Sequence, residues 1–133
     1  MDADALKKAL TLAKGRPVFV ATAARSGLPH LACAGQMAAA PGGCVLLTEW
    51  FCPGTMENLS GNPRISLVVW DQKADTGYQL LGEVERVEEV AVLDGYAPPT
   101  RTAPSLPQVE RRLVVRVDSI LDFRKAPHTD VMK

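Results

Sequence analysis

The sequence lacks net charge, long apolar runs, paired cysteine motifs and all but two histidines. Its 15 basic residues balance 15 acidic ones. No global field therefore draws in polyanions, and neither nucleic acid nor a membrane is expected as a partner. No apolar stretch approaches the ~20 residues that a membrane helix requires. Met1-Asp2-Ala3-Asp4 is acidic where a secretion signal is basic. No long apolar segment follows it, so a cytoplasmic location is expected. The three cysteines, Cys33, Cys44 and Cys52, are odd in number and form no Cys-x-x-Cys pair. They read as reduced thiols, Cys33 and Cys44 in the core and Cys52 as a small packing residue. His30 and His128 stand far apart, at no zinc-ligand spacing, and neither falls in a Ser–His–Asp or Cys–His arrangement. His30 reads as a half-exposed strand residue.

What is present is an ordinary globular chain of 133 residues, 47% apolar and 23% charged. That length fits a single domain over residues 1–133. Residues 2–14 carry one amphipathic helix, with Leu6, Ala9, Leu10 and Ala13 on one side and Lys7, Lys8 and Lys14 on the other. Branched and aromatic residues then mark a strand over 17–23. A turn at 25–27 leads to a second strand over 28–39. Pro41-Gly42-Gly43 turns the chain into a third, 44–50. A short helix is expected over 55–61, ended by Asn62-Pro63. Strands over 64–71, 78–90 and 112–117 follow, and the last six residues are expected to fray. Residues 91–108 hold four prolines without apolar periodicity and read as a long loop or lid. Glu83, Glu85, Glu88 and Glu89 read as a solvated strand face. The fold class is all-β with minor α: a six-stranded antiparallel split β-barrel, an N-terminal helix, and a short helix after the third strand.

The segment from Trp50 to Leu59 is the one that suggests chemistry. Trp50 and Phe51 meet a Pro53-Gly54 bend at the start of the short helix. Backbone N–H groups at a helix start form a ready anion site, and Thr55 adds a hydroxyl. Two readings stay open on spacing alone. Either Thr55 caps the helix and the aromatics fill the core, or the segment holds a planar ligand with a phosphate tail. The first is the simpler.

The order of short motifs adds to this. Pro17-Val-Phe-Val-Ala-Thr-Ala, Gly27-Leu-Pro-His30, Thr55-Met-Glu-Asn-Leu59, Asn62-Pro-Arg-Ile-Ser-Leu-Val-Val-Trp70 and Gly77-Tyr-Gln-Leu-Leu-Gly82 occur in that sequence. Together they resemble the pyridoxamine 5′-phosphate oxidase-like FMN-binding split-barrel family, and most of all its small single-domain members. The resemblance implies a homodimer with FMN at the subunit interface. By position it implies a flavin held by Cys33, Ala34, Gly35 and Gln36, by Thr48, Glu49, Trp50, Phe51 and Cys52, and by Thr55. Gln79 matches a polar position that often faces the flavin in relatives. Many relatives carry a lysine for the phosphate at the start of the short helix, where this chain has Gly54-Thr55. The chain also lacks the arginine-rich C-terminal extension of vitamin-processing relatives, so oxidation of pyridoxamine phosphate itself is not expected. The expected function is electron transfer, or reduction of a small acceptor, through bound FMN, with the redox partner or substrate unidentified. A deazaflavin coenzyme, haem handling and a cofactor-free regulatory dimer are the alternatives.

Overall fold

The computed structural model describes residues 1–50, 52–90 and 110–132. The proline-rich segment 91–108 and Phe51 lie outside the described residues. Helix α1 spans Ala3–Ala13. The Asp2 carboxylate caps it, accepting from the Asp4 amide at 2.9 Å and the Ala5 amide at 3.3 Å. That contact satisfies two amides that the helix cannot use. Leu6, Ala9 and Ala13 are buried against the barrel core, as their helical spacing requires.

Seven strands follow: β1 (Val18–Ala23), β2 (Pro29–Ala34), β3 (Gln36–Ala40), β4 (Cys44–Trp50), β5 (Arg64–Asp71), β6 (Thr76–Val90) and β7 (Glu110–Asp122). A 3-10 turn at Pro41–Gly43 joins β3 to β4, and helix α2 spans Pro53–Gly61. The sheet order is β2-β1-β5-β6-β7-β4-β3, and every pairing is antiparallel. The two edge strands, β2 and β3, are consecutive in the chain with Gly35 between them. There the Gly35 amide donates to the Thr48 carbonyl at 3.3 Å. The chain thus leaves one end of the sheet and enters the other, which draws the ends together into a split barrel.

This corrects the strand count from six to seven. The stretch 28–39 is two strands, because Gly35 lets the backbone bend and change partners. The alanines on either side, Ala32 and Ala34 before it and Ala38 to Ala40 after it, hide that break. Two smaller differences have local causes. Helix α2 begins at Pro53 because proline, with no N–H to lose, suits a first helical position. Strand β6 changes register against β7 at Leu81/Gly82 and again at Val84/Arg86. Such bulges break the alternation of facing residues. At Gly82 a Cβ would overlap the Arg116 carbonyl oxygen, so only glycine permits the close crossing.

The core is Val18 and Val20 of β1, Val45 and Leu47 of β4, Leu67 and Val69 of β5, Leu80 of β6, and Leu113 and Val115 of β7. Burying each such side chain contributes roughly 1.5–3 kcal/mol. The acidic run on β6 is paired rather than merely solvated. Arg116 bonds Glu83 at 3.1 Å, Arg86 bonds Glu88 at 2.8 Å, and Arg111 stands 3.9 Å from Glu89. Among the described residues, no helix is long and apolar enough to cross a membrane.

Candidate functional site

Helix α2 packs against β1 and β2, the strands at one end of the sheet. Asn58 fastens it by donating from Nδ2 to the Thr22 hydroxyl at 3.1 Å, and Leu59 is buried beneath it. Its N-cap is Cys52, which makes no side-chain capping bond. The first helical hydrogen bond runs from the Met56 amide to the Cys52 carbonyl at 3.1 Å. Pro53 has no N–H, so Gly54 and Thr55 carry the amides of the first turn that helix geometry leaves unmatched.

Thr55 therefore sits inside the helix and does not cap it. Its side chain is wholly buried, at 0% exposure. Among the described residues its hydroxyl oxygen has no hydrogen-bond partner. A buried hydroxyl left this way costs roughly 1–3 kcal/mol. Such a group in a folded protein needs a reason, and a ligand oxygen is one.

The ring of His30 lies over Gly54. A Cβ at Gly54 would stand 3.4 Å from the His30 Nε2 atom. His30 pairs with Thr22 in the β1–β2 register, and its side chain is exposed rather than half-exposed. Sequence reading missed this contact, because 24 residues separate the two positions and nothing local joins them.

A second feature lies on the outer face of the sheet. Directly paired residues of antiparallel strands share a face. Cys33, Phe19, Val68, Gln79 and Leu121 are paired in succession across β2, β1, β5, β6 and β7. Leu31, Ala21, Ser66, Leu81 and Ser119 form the next row. Gln79 donates to the Ser66 hydroxyl at 2.9 Å, linking the rows. At the β2 end this face is apolar and open: Leu31 is 66% exposed and Phe19 38%, beside Leu28 at 69%. Cys33 is exposed on it, which overturns the expectation of a core thiol, while Cys44 is buried as expected. The reason is strand alternation: Cys33 falls on the outward side with Leu31, and Ala34 on the inward side with Val18.

The sequence-derived residues therefore fall in three places. Cys33 and Gln79 share one outer row, three strand spacings or about 14 Å apart. Gly35, Gln36 and Thr48 meet where the barrel ends join, with Gln36 paired to Thr48 and Ala34 buried just before them. Cys52 and Thr55 belong to the start of α2. Glu49 and Trp50 continue β4 in backbone, and Phe51 lies outside the described residues. An open groove of about 670 Å³ on the outer face is lined by Ala21, Ser66, Leu81, Arg64, Arg116 and Met132, among others. Among the described residues, Cys33, Ala34, Gly35, Gln36, Thr48, Cys52, Thr55 and Gln79 do not line it, although the Gln79 partner Ser66 does. Among the described residues, no group of three or more His, Cys, Asp or Glu side chains is placed to hold a metal ion.

The sequence profile of the family described as pyridoxamine 5′-phosphate oxidase matches residues 4–118. The chain belongs to this family. Among curated proteins, none matches the sequence. Solved structures share the split-barrel fold of the family. An FMN-binding protein from Syntrophomonas wolfei subsp. wolfei superposes with a TM-score of 0.66 at 16% identity, over 92% of this chain and 88% of that one. A protein from Clostridium acetobutylicum, related to general stress protein 26 and of the pyridoxinephosphate oxidase family, gives 0.64 at 19% identity, over 97% and 94%. An FAD-binding protein from Mesorhizobium loti gives 0.56 at 20% identity, over 96% of each chain. Identities this low speak for the fold alone.

Proposed function

We propose that this split-barrel protein binds FMN, with the phosphate at the first turn of α2 and the ring along small residues near the β2–β3 junction. The unpartnered, buried Thr55 hydroxyl carries this reading. It lies in the same turn as the unmatched Gly54 and Thr55 amides, and phosphate oxygens accept from both hydroxyl and amide donors. Gly35 suits close approach of a flat ring, since a Cβ there would meet nothing within 4 Å. FMN- and FAD-binding proteins among the structural neighbours agree with a flavin-type ligand.

When bound, FMN would supply one- or two-electron redox chemistry, and the protein's part is binding, orientation and exclusion of water. The activity proposed is electron transfer, or reduction of a small acceptor. In this reading a second copy of the chain covers the apolar outer face around Phe19, Leu28 and Leu31, and Gln79 on that face meets the flavin at the subunit interface. An exposed apolar patch on one sheet face suits a two-fold, self-complementary contact.

One observation favours a cofactor-free dimeric scaffold instead. The first turn of α2, Pro53-Gly54-Thr55-Met56, carries no basic residue. Titration of the purified protein with FMN, read by quenching of flavin fluorescence, separates the two. Saturable binding with one FMN per chain supports the flavin reading, and no binding at high micromolar FMN overturns it.

A further inference from the structure

We propose that the imidazole of His30 serves as the side-chain donor to the phosphate group at the start of α2, in place of a basic residue on the helix. This rests on the flavin reading above and names the residue that tunes it. Three observations converge. The His30 ring lies over Gly54, with Nε2 3.4 Å from where a Cβ would stand. The hydroxyl of the next residue, Thr55, is buried without a partner. The helix starts without a side-chain cap, which leaves its first amides for an anion. A Cβ at position 54 would meet the imidazole at ordinary van der Waals distance, so the ring from β2 lies in direct reach of the turn.

Among the described residues, those of α2, β1 and β2 around it supply no substitute. On α2 and its cap the ionisable residues are Cys52 and Glu57. β1 offers only Thr22, the partner of His30 in register. Cys33, on β2 itself, points to the other face. Arg25, from the β1–β2 turn, lies over Gly61 at the far end of α2, its Nε 2.6 Å from a Cβ placed there.

The experiment titrates wild type, His30→Ala and His30→Lys with FMN and with riboflavin, which lacks the phosphate. Wild type is expected to bind FMN about tenfold more tightly than His30→Ala. His30→Lys is expected to bind FMN at least as tightly as wild type, and riboflavin to show no dependence on position 30. Equal FMN affinity for wild type and His30→Ala overturns the role of His30 and leaves the flavin reading standing. A His30→Ala loss that riboflavin shares overturns the phosphate contact. Failure of wild type to bind either flavin overturns the flavin reading and this inference with it. His30 is exposed, so these variants are expected to fold.

Discussion

The region where α2 meets β2 and the corner around Asp75 treat their polar groups in opposite ways. Asp75 adopts a φ of 49° and uses its whole carboxylate. Its Oδ1 accepts from the Lys125 amide at 2.7 Å and from the Trp70 indole at 3.2 Å, and its Oδ2 from the Ala126 amide at 2.9 Å. The Trp70 ring meets Phe123 edge-on, with centroids 5.9 Å apart. Both carboxylate oxygens and the indole N–H have partners within the chain, and these contacts fix the C-terminal segment. At the start of α2 a hydroxyl is buried without a partner, the helix is uncapped, and the nearby strand face exposes Leu28 and Leu31. In the reading proposed above, a ligand and a second copy of the chain complete that region. The difference supports that reading, since a protein generally settles its structural polar groups internally.

The comparison breaks most visibly at Leu31. Leu31→Asp places a charge in the apolar outer face, where an unpaired buried charge costs roughly 3–5 kcal/mol. Dimer dissociation is expected to strengthen by two orders of magnitude or more, read by analytical ultracentrifugation, with the barrel's circular dichroism unchanged. A wild type that is monomeric at high concentration would show that this face completes nothing.

Next in size is Gly54→Lys. A charge-assisted contact to phosphate is worth about 1.5–3 kcal/mol, or roughly ten- to a hundredfold in FMN affinity. Without FMN the same lysine opposes the helix dipole, a loss of about 0.3–1 kcal/mol in stability. Calorimetric titration beside thermal unfolding reads both. The result sharpens the contrast, since a change that harms the folded chain alone improves the complex.

The smallest effect is at Asp75. Amides of Lys125 and Ala126, then the indole of Trp70, hold its carboxyl below the ordinary aspartate value. Its folded pKa is lowered, so its contribution to stability is fully present above the ordinary aspartate pKa of about 3.9. That contribution is lost as pH falls through the lower folded-state value. Hydrogen exchange at the Lys125 and Ala126 amides should accelerate in that acid window in wild type. In Asp75→Asn it should be faster throughout and should not follow that titration. FMN affinity is expected to be the same in both proteins.

Much of the fold is legible in the sequence, for physical reasons. Residues of α1, β1, β4 and β5 carry strong local patterns, and Asp2, Pro63 and the Pro41-Gly42-Gly43 turn mark their limits. The exchange of partners at Gly35 is not legible, because long-range pairing decides it and the small residues around it suit either strand. The extent of β7, Glu110–Asp122 against an expected 112–117, comes from its long pairing with β6 and β4 rather than from its own composition. At the site, the helix start before Thr55 was readable from Pro53 and Gly54. Thr55 as a cap was the wrong alternative, and the signal against it was present: proline at the first helical position puts the cap at Cys52. The contact between His30 and Gly54 exists only once α2 has packed on β2.

Thr55→Val tests the central claim most directly, since valine keeps the shape and removes only the hydroxyl. Unfolding of the ligand-free protein and FMN titration are measured on the same preparation. Because the hydroxyl is buried without a partner, the ligand-free variant should be more stable by about 1 kcal/mol, a few degrees in Tm, while binding FMN about tenfold or more weakly. A variant that is less stable and binds FMN as well as wild type would contradict the account.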